Sequence, residues 1–214
     1  MSNPNKYRLR RTMMFLNCQK PSLIKDPYDY KPDSIMLDLE DAVAEREKDA
    51  ARYSLYHALQ EIDYRGVERV VRINGLDTNL WREDIRCAVA GGCDSIRIPK
   101  TETADDVRTV EYAIAEAERE FNRPEGSVLI MAALESARGV INAMSICDSS
   151  ERLFGIALSG GDYSKDLQVP ISGTGVEFMG ARQHMVIAAR AAKVQCFDTV
   201  WTNLDDMEGF RRET

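Results

Sequence analysis

Three charged residues stand where an apolar segment would otherwise continue. Glu135 follows Val128-Leu129-Ile130-Met131-Ala132-Ala133-Leu134. Arg72 follows Val70-Val71, and Asp162 comes soon after Leu153-Phe154-Gly155-Ile156-Ala157-Leu158. A charge at the end of a buried segment is costly unless something pairs with it. Two carboxylates without a convergent His or Cys set suit a hard cation held through oxygen. Mg²⁺ takes one or two carboxylates, several waters and the substrate's own oxygens. A guanidinium offers a planar fork for a substrate carboxylate. Together these residue types point to metal-assisted chemistry on an anionic, oxygen-rich substrate. Each also has a plainer reading. Glu135 could help Ser136 open the next helix, Asp162 could be a turn or cap residue after Gly160-Gly161, and Arg72 could form a structural salt bridge with Asp38 or Glu40.

Further candidates surround these three. Asp38-Leu39-Glu40-Asp41 places three acids within four residues. Asp38, Glu40 and Asp41 could orient the metal's waters, or Glu40 and Asp41 could cap a following helix. Lys100 follows Ile98-Pro99 and could meet a carboxylate or a thioester, or be merely solvated. His57 and His184 fall within helical patterns and read as structural or surface residues. No G-x-S-x-G occurs and no Cys lies beside a His, so covalent catalysis has no support. A Schiff base at Lys100 would leave the acids without a task.

The segments that must position these residues alternate in type. Strand-like runs begin at Met13 (to Leu16), Ser34 (to Glu40), Arg69 (to Asn74), Ser95 (to Lys100), Val128 (to Glu135), Leu153 (to Leu158) and Phe197 (to Trp201). Unbroken apolar runs indicate parallel strands buried on both faces. Between them the period becomes helical. Ala51, Leu55, Ala58 and Leu59 share one stripe. Leu80, Ile85, Ala88 and Val89 share a second, which Gly91-Gly92 ends. Val107, Val110, Ile114, Ala117 and Phe121 form a third behind Thr103 as N-cap. Val140, Ile141 and Met144 follow the fifth strand, and Val176 to Ala192 precede the seventh.

Strict alternation implies a parallel sheet, closed as a barrel or open and doubly wound. No G-x-G-x-x-G follows the first strand. Polar residues gather at strand ends, which favours a (β/α)₈ TIM-type barrel with its site on the C-terminal rim. The predicted strands number seven, one short of closure. The expectation is therefore one domain over 1–214, an incomplete barrel whose two sheet edges need cover, for example from a neighbouring chain.

A formal charge of −7, with no basic stretch carrying interleaved aromatics, argues against a nucleic-acid partner. The five cysteines include no C-x-x-C pair and read as reduced, buried thiols. There is no secretory pattern and no apolar run of membrane-spanning length, so a cytoplasmic protein without membrane contact is expected.

In this order, these segments resemble the citrate lyase β group of the HpcH/HpaI aldolase and citrate lyase family. The matching stretches are Arg10-Arg11-Thr12-Met13-Met14-Phe15, Asp38-Leu39-Glu40-Asp41-Ala42-Val43, Arg46 to Arg52, and Val71-Arg72-Ile73-Asn74-Gly75-Leu76-Asp77. Further on come Arg97-Ile98-Pro99-Lys100-Thr101, Ala132-Ala133-Leu134-Glu135-Ser136, Gly155 to Leu158 with Asp162-Tyr163, and Phe197-Asp198-Thr199-Val200. The resemblance implies a Mg²⁺-dependent carbon–carbon lyase. It would cleave a citryl thioester, on an acyl carrier protein or on CoA, to oxaloacetate and an acetyl thioester. By motif match Arg72 would bind the substrate carboxylate, Glu135 and Asp162 would hold the metal, and Glu135 would also contact substrate. Implied partners are a citrate lyase α subunit, the acyl carrier protein and further copies of the chain.

A malyl-CoA or citramalyl-CoA lyase is the near alternative, and a non-catalytic paralogue or assembly subunit the distant one. Three departures bear on turnover. Asn17-Cys18-Gln19 replaces the family's usual Pro-Gly-Asn. Gly160-Gly161 replaces Ala-Glu, which removes an acid near Asp162. The eighth strand and the C-terminal segment after it are not seen.

Overall fold

The computed structural model describes residues 3–203 and 205–213. Seven strands form one parallel sheet in sequential order: β1 (Met13–Asn17), β2 (Ser34–Asp38), β3 (Glu68–Arg72), β4 (Ser95–Ile98), β5 (Leu129–Leu134), β6 (Leu153–Leu158) and β7 (Gln195–Phe197). The helices are α1 (Pro21–Ile24), α2 (Lys48–Glu61), α3 (Trp81–Gly91), α4 (Ala104–Glu120), α5 (Ala137–Ile141), α6 (Ala143–Cys147), α7 (Gly160–Asp166), α8 (Met179–Ala192) and α9 (Met207–Glu213). This is the expected incomplete TIM-type barrel, with β1 and β7 as its two edges.

Side-chain alternation along the strands sorts the apolar residues into two groups. Ile35, Leu37, Val71, Ile96, Ile98, Ile130 and Ala132 face outward and pack with the helical stripes of α2, α3 and α4 in the main core. Met36, Val70, Leu129, Met131, Phe154 and Ala157 face inward and form a separate, smaller core. The same two-residue period puts Ser34 and Glu68 below that inner layer, while Ser95 stands in register with Val70 and Leu129. Asp38, Arg72, Arg97 and Glu135 lie above it. The interior therefore has a polar floor, an apolar middle and a charged mouth.

The floor is a buried ion pair. Arg10 forks onto Glu68, with Nε–Oε2 and Nη2–Oε1 both at 2.6 Å, and Ser34 Oγ donates to Glu68 at 2.6 Å. The Arg10 guanidinium also lies 3.9 Å from the centre of the Phe154 ring. The N-terminal segment is tied beneath the sheet by Asn3 Nδ2 to Gly126 O, Lys6 Nζ to Glu151 O, and Gln195 Nε2 to Arg8 O.

Helix ends follow local chemistry. Thr103 accepts from the Asp106 N–H, and the Asp106 carboxylate accepts from the Thr103 N–H, a reciprocal capping box. Gly92 terminates α3 in the left-handed conformation, φ 99°. The seventh strand departs from expectation: it is Gln195–Phe197 instead of Phe197–Trp201. Asp198 turns outward to Arg182, 3.0 Å from its Nε, and the chain leaves the sheet there. Among the described residues no helix is long and apolar enough to cross a membrane. The cysteines are free, and Cys196, expected to be buried, is exposed.

Candidate active site

The charged mouth begins with β2 and β3. Asp38 pairs with Arg72 in the sheet register. The carboxylate receives the Arg72 fork, Nε–Oδ1 at 2.7 Å and Nη2–Oδ2 at 2.6 Å, and also accepts the Glu40 N–H. Glu40 lies 3.0 Å from Arg72 Nη1 and 3.1 Å from Lys100 Nζ. These are attractive distances, but neither approach has hydrogen-bond geometry, so both buried Glu40 oxygens lack a donor. Burial opposes the Arg72 charge, but Asp38 and then Glu40 outweigh it and raise the Arg72 pKa. Burial raises the pKa of Glu40, with Arg72 opposing. The plainer reading of Arg72 thus describes its immediate partners, Asp38 and Glu40. Asp41 is exposed, and its charge acts on Glu40, Arg72 and Lys100.

Glu135 follows β5 and is buried. It does not cap the next helix. Ser136 does, accepting the Gly139 N–H, while Ser159 Oγ donates to Glu135 Oε1 at 3.0 Å. Burial raises the Glu135 pKa. Arg97, Ser159 and the Lys100 N–H oppose the shift, and nearby Asp162 adds to it. Lys100 is held at φ 48°, a left-handed conformation unusual for a residue with a Cβ. The turn presents its N–H to Glu135 and its ammonium to Glu40.

Asp162 occupies the first turn of α7 and pairs with Lys165 at 2.7 Å, a half-exposed contact that a ligand can replace at small cost. A cleft of about 520 Å³ is lined by Lys100, Glu102, Asp106, Glu135, Asp162 and Asp166. Among the described residues, no group of three or more His, Cys, Asp or Glu side chains is placed to hold a metal. A Mg²⁺ site completed by water and substrate oxygens does not need one. The donor set fits that ion: Glu135 and Asp162 are among the carboxylates lining the cleft, and the charge of Asp162 disfavours that of Glu135, which a cation would relieve.

The sequence reading missed Arg97 as a site residue. It sits between Ile96 and Ile98, is the register partner of Arg72, and donates from Nη2 to Ser159 Oγ at 2.9 Å. The signal was the one used for Arg72, an arginine inside an apolar strand. Phe15 was also missed. Its ring centre is 5.5 Å from the Arg72 guanidinium and 5.4 Å from that of Arg97.

The HpcH/HpaI aldolase/citrate lyase family model matches residues 11–214. The chain belongs to that family. It is 52% identical over 210 residues to the citrate lyase subunit beta of Leuconostoc mesenteroides subsp. cremoris, covering 98% of this chain and 70% of the relative. It is 45% identical over 206 residues to the subunit beta of Haemophilus influenzae, covering 96% and 71%. A solved citrate lyase beta subunit from M. tuberculosis, complexed with oxaloacetate and magnesium, superimposes with a TM-score of 0.76 at 25% identity, covering 98% of this chain and 86% of that one.

The two glycines of the pair Gly160-Gly161 differ in their surroundings. A Cβ on Gly160 would lie 2.7 Å from Thr199 Oγ1, which already accepts the Gly160 N–H, and 3.1 Å from the Phe178 ring. A Cβ on Gly161 meets nothing within 4 Å. Gly160→Ala is expected to destabilise the fold by about 1–3 kcal/mol through overpacking. Gly161→Ala is expected to leave stability unchanged or raise it by up to about 1 kcal/mol. Urea midpoints moving in the same direction for both would contradict this.

Proposed function

We propose that this chain is a Mg²⁺-dependent carbon–carbon lyase of the citrate lyase β type, cleaving a citryl thioester to oxaloacetate and an acetyl thioester. The supporting observation is that Glu135, Asp162 and Arg72, distant in sequence, belong to one end of one sheet. Glu135 and Asp162 would hold the ion. When bound there, Mg²⁺ supplies Lewis-acid polarisation of the substrate's alcohol oxygen and its neighbouring carboxylate.

The chain's own residues do the positioning. Asp38 and Glu40 hold the Arg72 guanidinium in the mouth, where it orients a substrate carboxylate. The Ser159 hydroxyl and the Lys100 N–H steady Glu135 where it lines the cleft. The reading extends to a citrate lyase assembly with an α subunit and an acyl carrier protein, to self-association, and to the cytoplasm.

The test is cleavage of citryl-CoA by this chain with and without Mg²⁺, with oxaloacetate followed by malate dehydrogenase coupling. Mg²⁺-dependent oxaloacetate release is expected. Faster glyoxylate release from malyl-CoA, or pyruvate release from citramalyl-CoA, would assign the chain to those lyases instead. Absence of turnover with all three would assign it a non-catalytic role.

A further inference from the structure

Arg97 differs from the other cations of the mouth. Arg72 has two acids and Lys100 has Glu40, but among the described residues Arg97 has no ion-pair partner. It is only 5% exposed. The one side-chain hydrogen bond it makes among those residues is the donation from Nη2 to Ser159, and its buried Nε has no acceptor. Burial, and then the charge of Arg72, push its pKa down to about 10. A desolvated guanidinium with open donors is an unfavourable group in a finished core. It becomes favourable once an anion meets it.

The geometry limits which anion. Arg97 and Arg72 are register partners on one face of adjacent parallel strands, and both lie against the Phe15 ring. Adjacent strands are about 4.8 Å apart. That spacing is comparable to the distance between the two carboxylates of a four-carbon keto diacid.

We propose that Arg97 is the receptor for a second substrate carboxylate, so that Arg72 and Arg97 together select a diacid fragment over a monoacid one. This rests on the lyase reading above. The keto-acid fragment of a citryl thioester carries two carboxylates, whereas those of malyl and citramalyl thioesters carry one. Arg97 therefore sets substrate choice, and through Ser159 it also steadies Glu135.

The test is calorimetric titration of wild type, Arg97→Met and Arg97→Lys with oxaloacetate and with pyruvate, all in Mg²⁺. Wild type is expected to prefer oxaloacetate. Arg97→Met is expected to weaken oxaloacetate about 30-fold, the effect of truncating one side of a buried charge pair, and pyruvate by no more than about three-fold. Arg97→Lys keeps the charge but loses the fork, and is expected to lose about ten-fold of the preference. Equal weakening of both keto acids, or no change in the ratio for either variant, would overturn the role of Arg97 and leave the lyase reading intact. A wild-type chain that binds neither keto acid would overturn both. Should Arg97→Met fail to fold, the ratio measured for Arg97→Lys decides.

Discussion

Glu135→Gln is expected to lower Mg²⁺-dependent cleavage of citryl-CoA about 1,000-fold while leaving the fold intact. The substitution preserves shape and the acceptor that meets Ser159 Oγ, but removes the negative charge. A metal ligand that stabilises charge developing at the reacting oxygen contributes on the scale of a preorganised electrostatic group, about 10²–10³ in rate. The mechanism has a second readout. Burial and neighbouring Asp162 raise the Glu135 pKa, so protons compete with the ion at a higher pH than they would for an exposed glutamate. Mg²⁺ affinity of wild type is therefore expected to weaken as pH falls toward the carboxylate range, and Glu135→Gln to lose that part of the dependence. Equal rates for wild type and Glu135→Gln would remove the residue from the reaction.

Arg10→Met is expected to cost about 3–5 kcal/mol of unfolding free energy, the penalty for leaving a buried ion without its partner. Glu68 is almost fully buried, accepts from both arms of the Arg10 fork, and would keep only Ser34. The double replacement Arg10→Met with Glu68→Leu is expected to recover most of the loss, because it removes both charges together. Urea unfolding with a constant m-value measures both. A cost below about 1 kcal/mol for the single variant would show that water reaches the floor. This pair sits at the N-terminal end of the strands, opposite the mouth, so the double variant is expected to keep its keto-acid binding.

The strands were legible because a parallel strand buried on both faces shows an unbroken apolar run, and β6 matches its expected bounds at both ends. The β7 boundary was not, because the run continues past Phe197 while the backbone turns away at Asp198, where Arg182 takes the carboxylate. Arg72 was legible as an arginine inside an apolar strand, and its choice between Asp38 and a ligand required the register. Arg97 carries the same mark but stood inside a motif, Arg97-Ile98-Pro99-Lys100, in which the lysine drew notice. The Arg10–Glu68 pair was out of reach. Its two residues are 58 positions apart, and neither shows by type or spacing that it meets the other. The left-handed turn at Lys100 was hidden because a lysine gives no sign of positive φ.

Each strand pairs with its neighbour in chain order, which has a consequence for how the molecule is made. Successive units can dock as they emerge during synthesis, since every new strand finds its template already present. The bonds that break this locality are those of the N-terminal segment, from Asn3, Lys6 and Arg8 to residues 123, 145 and 187 positions later. Closing such wide loops costs chain entropy before it returns contacts, so this segment docks late. Residues 3–8, which precede every strand along the chain, are then among the last to reach their native places.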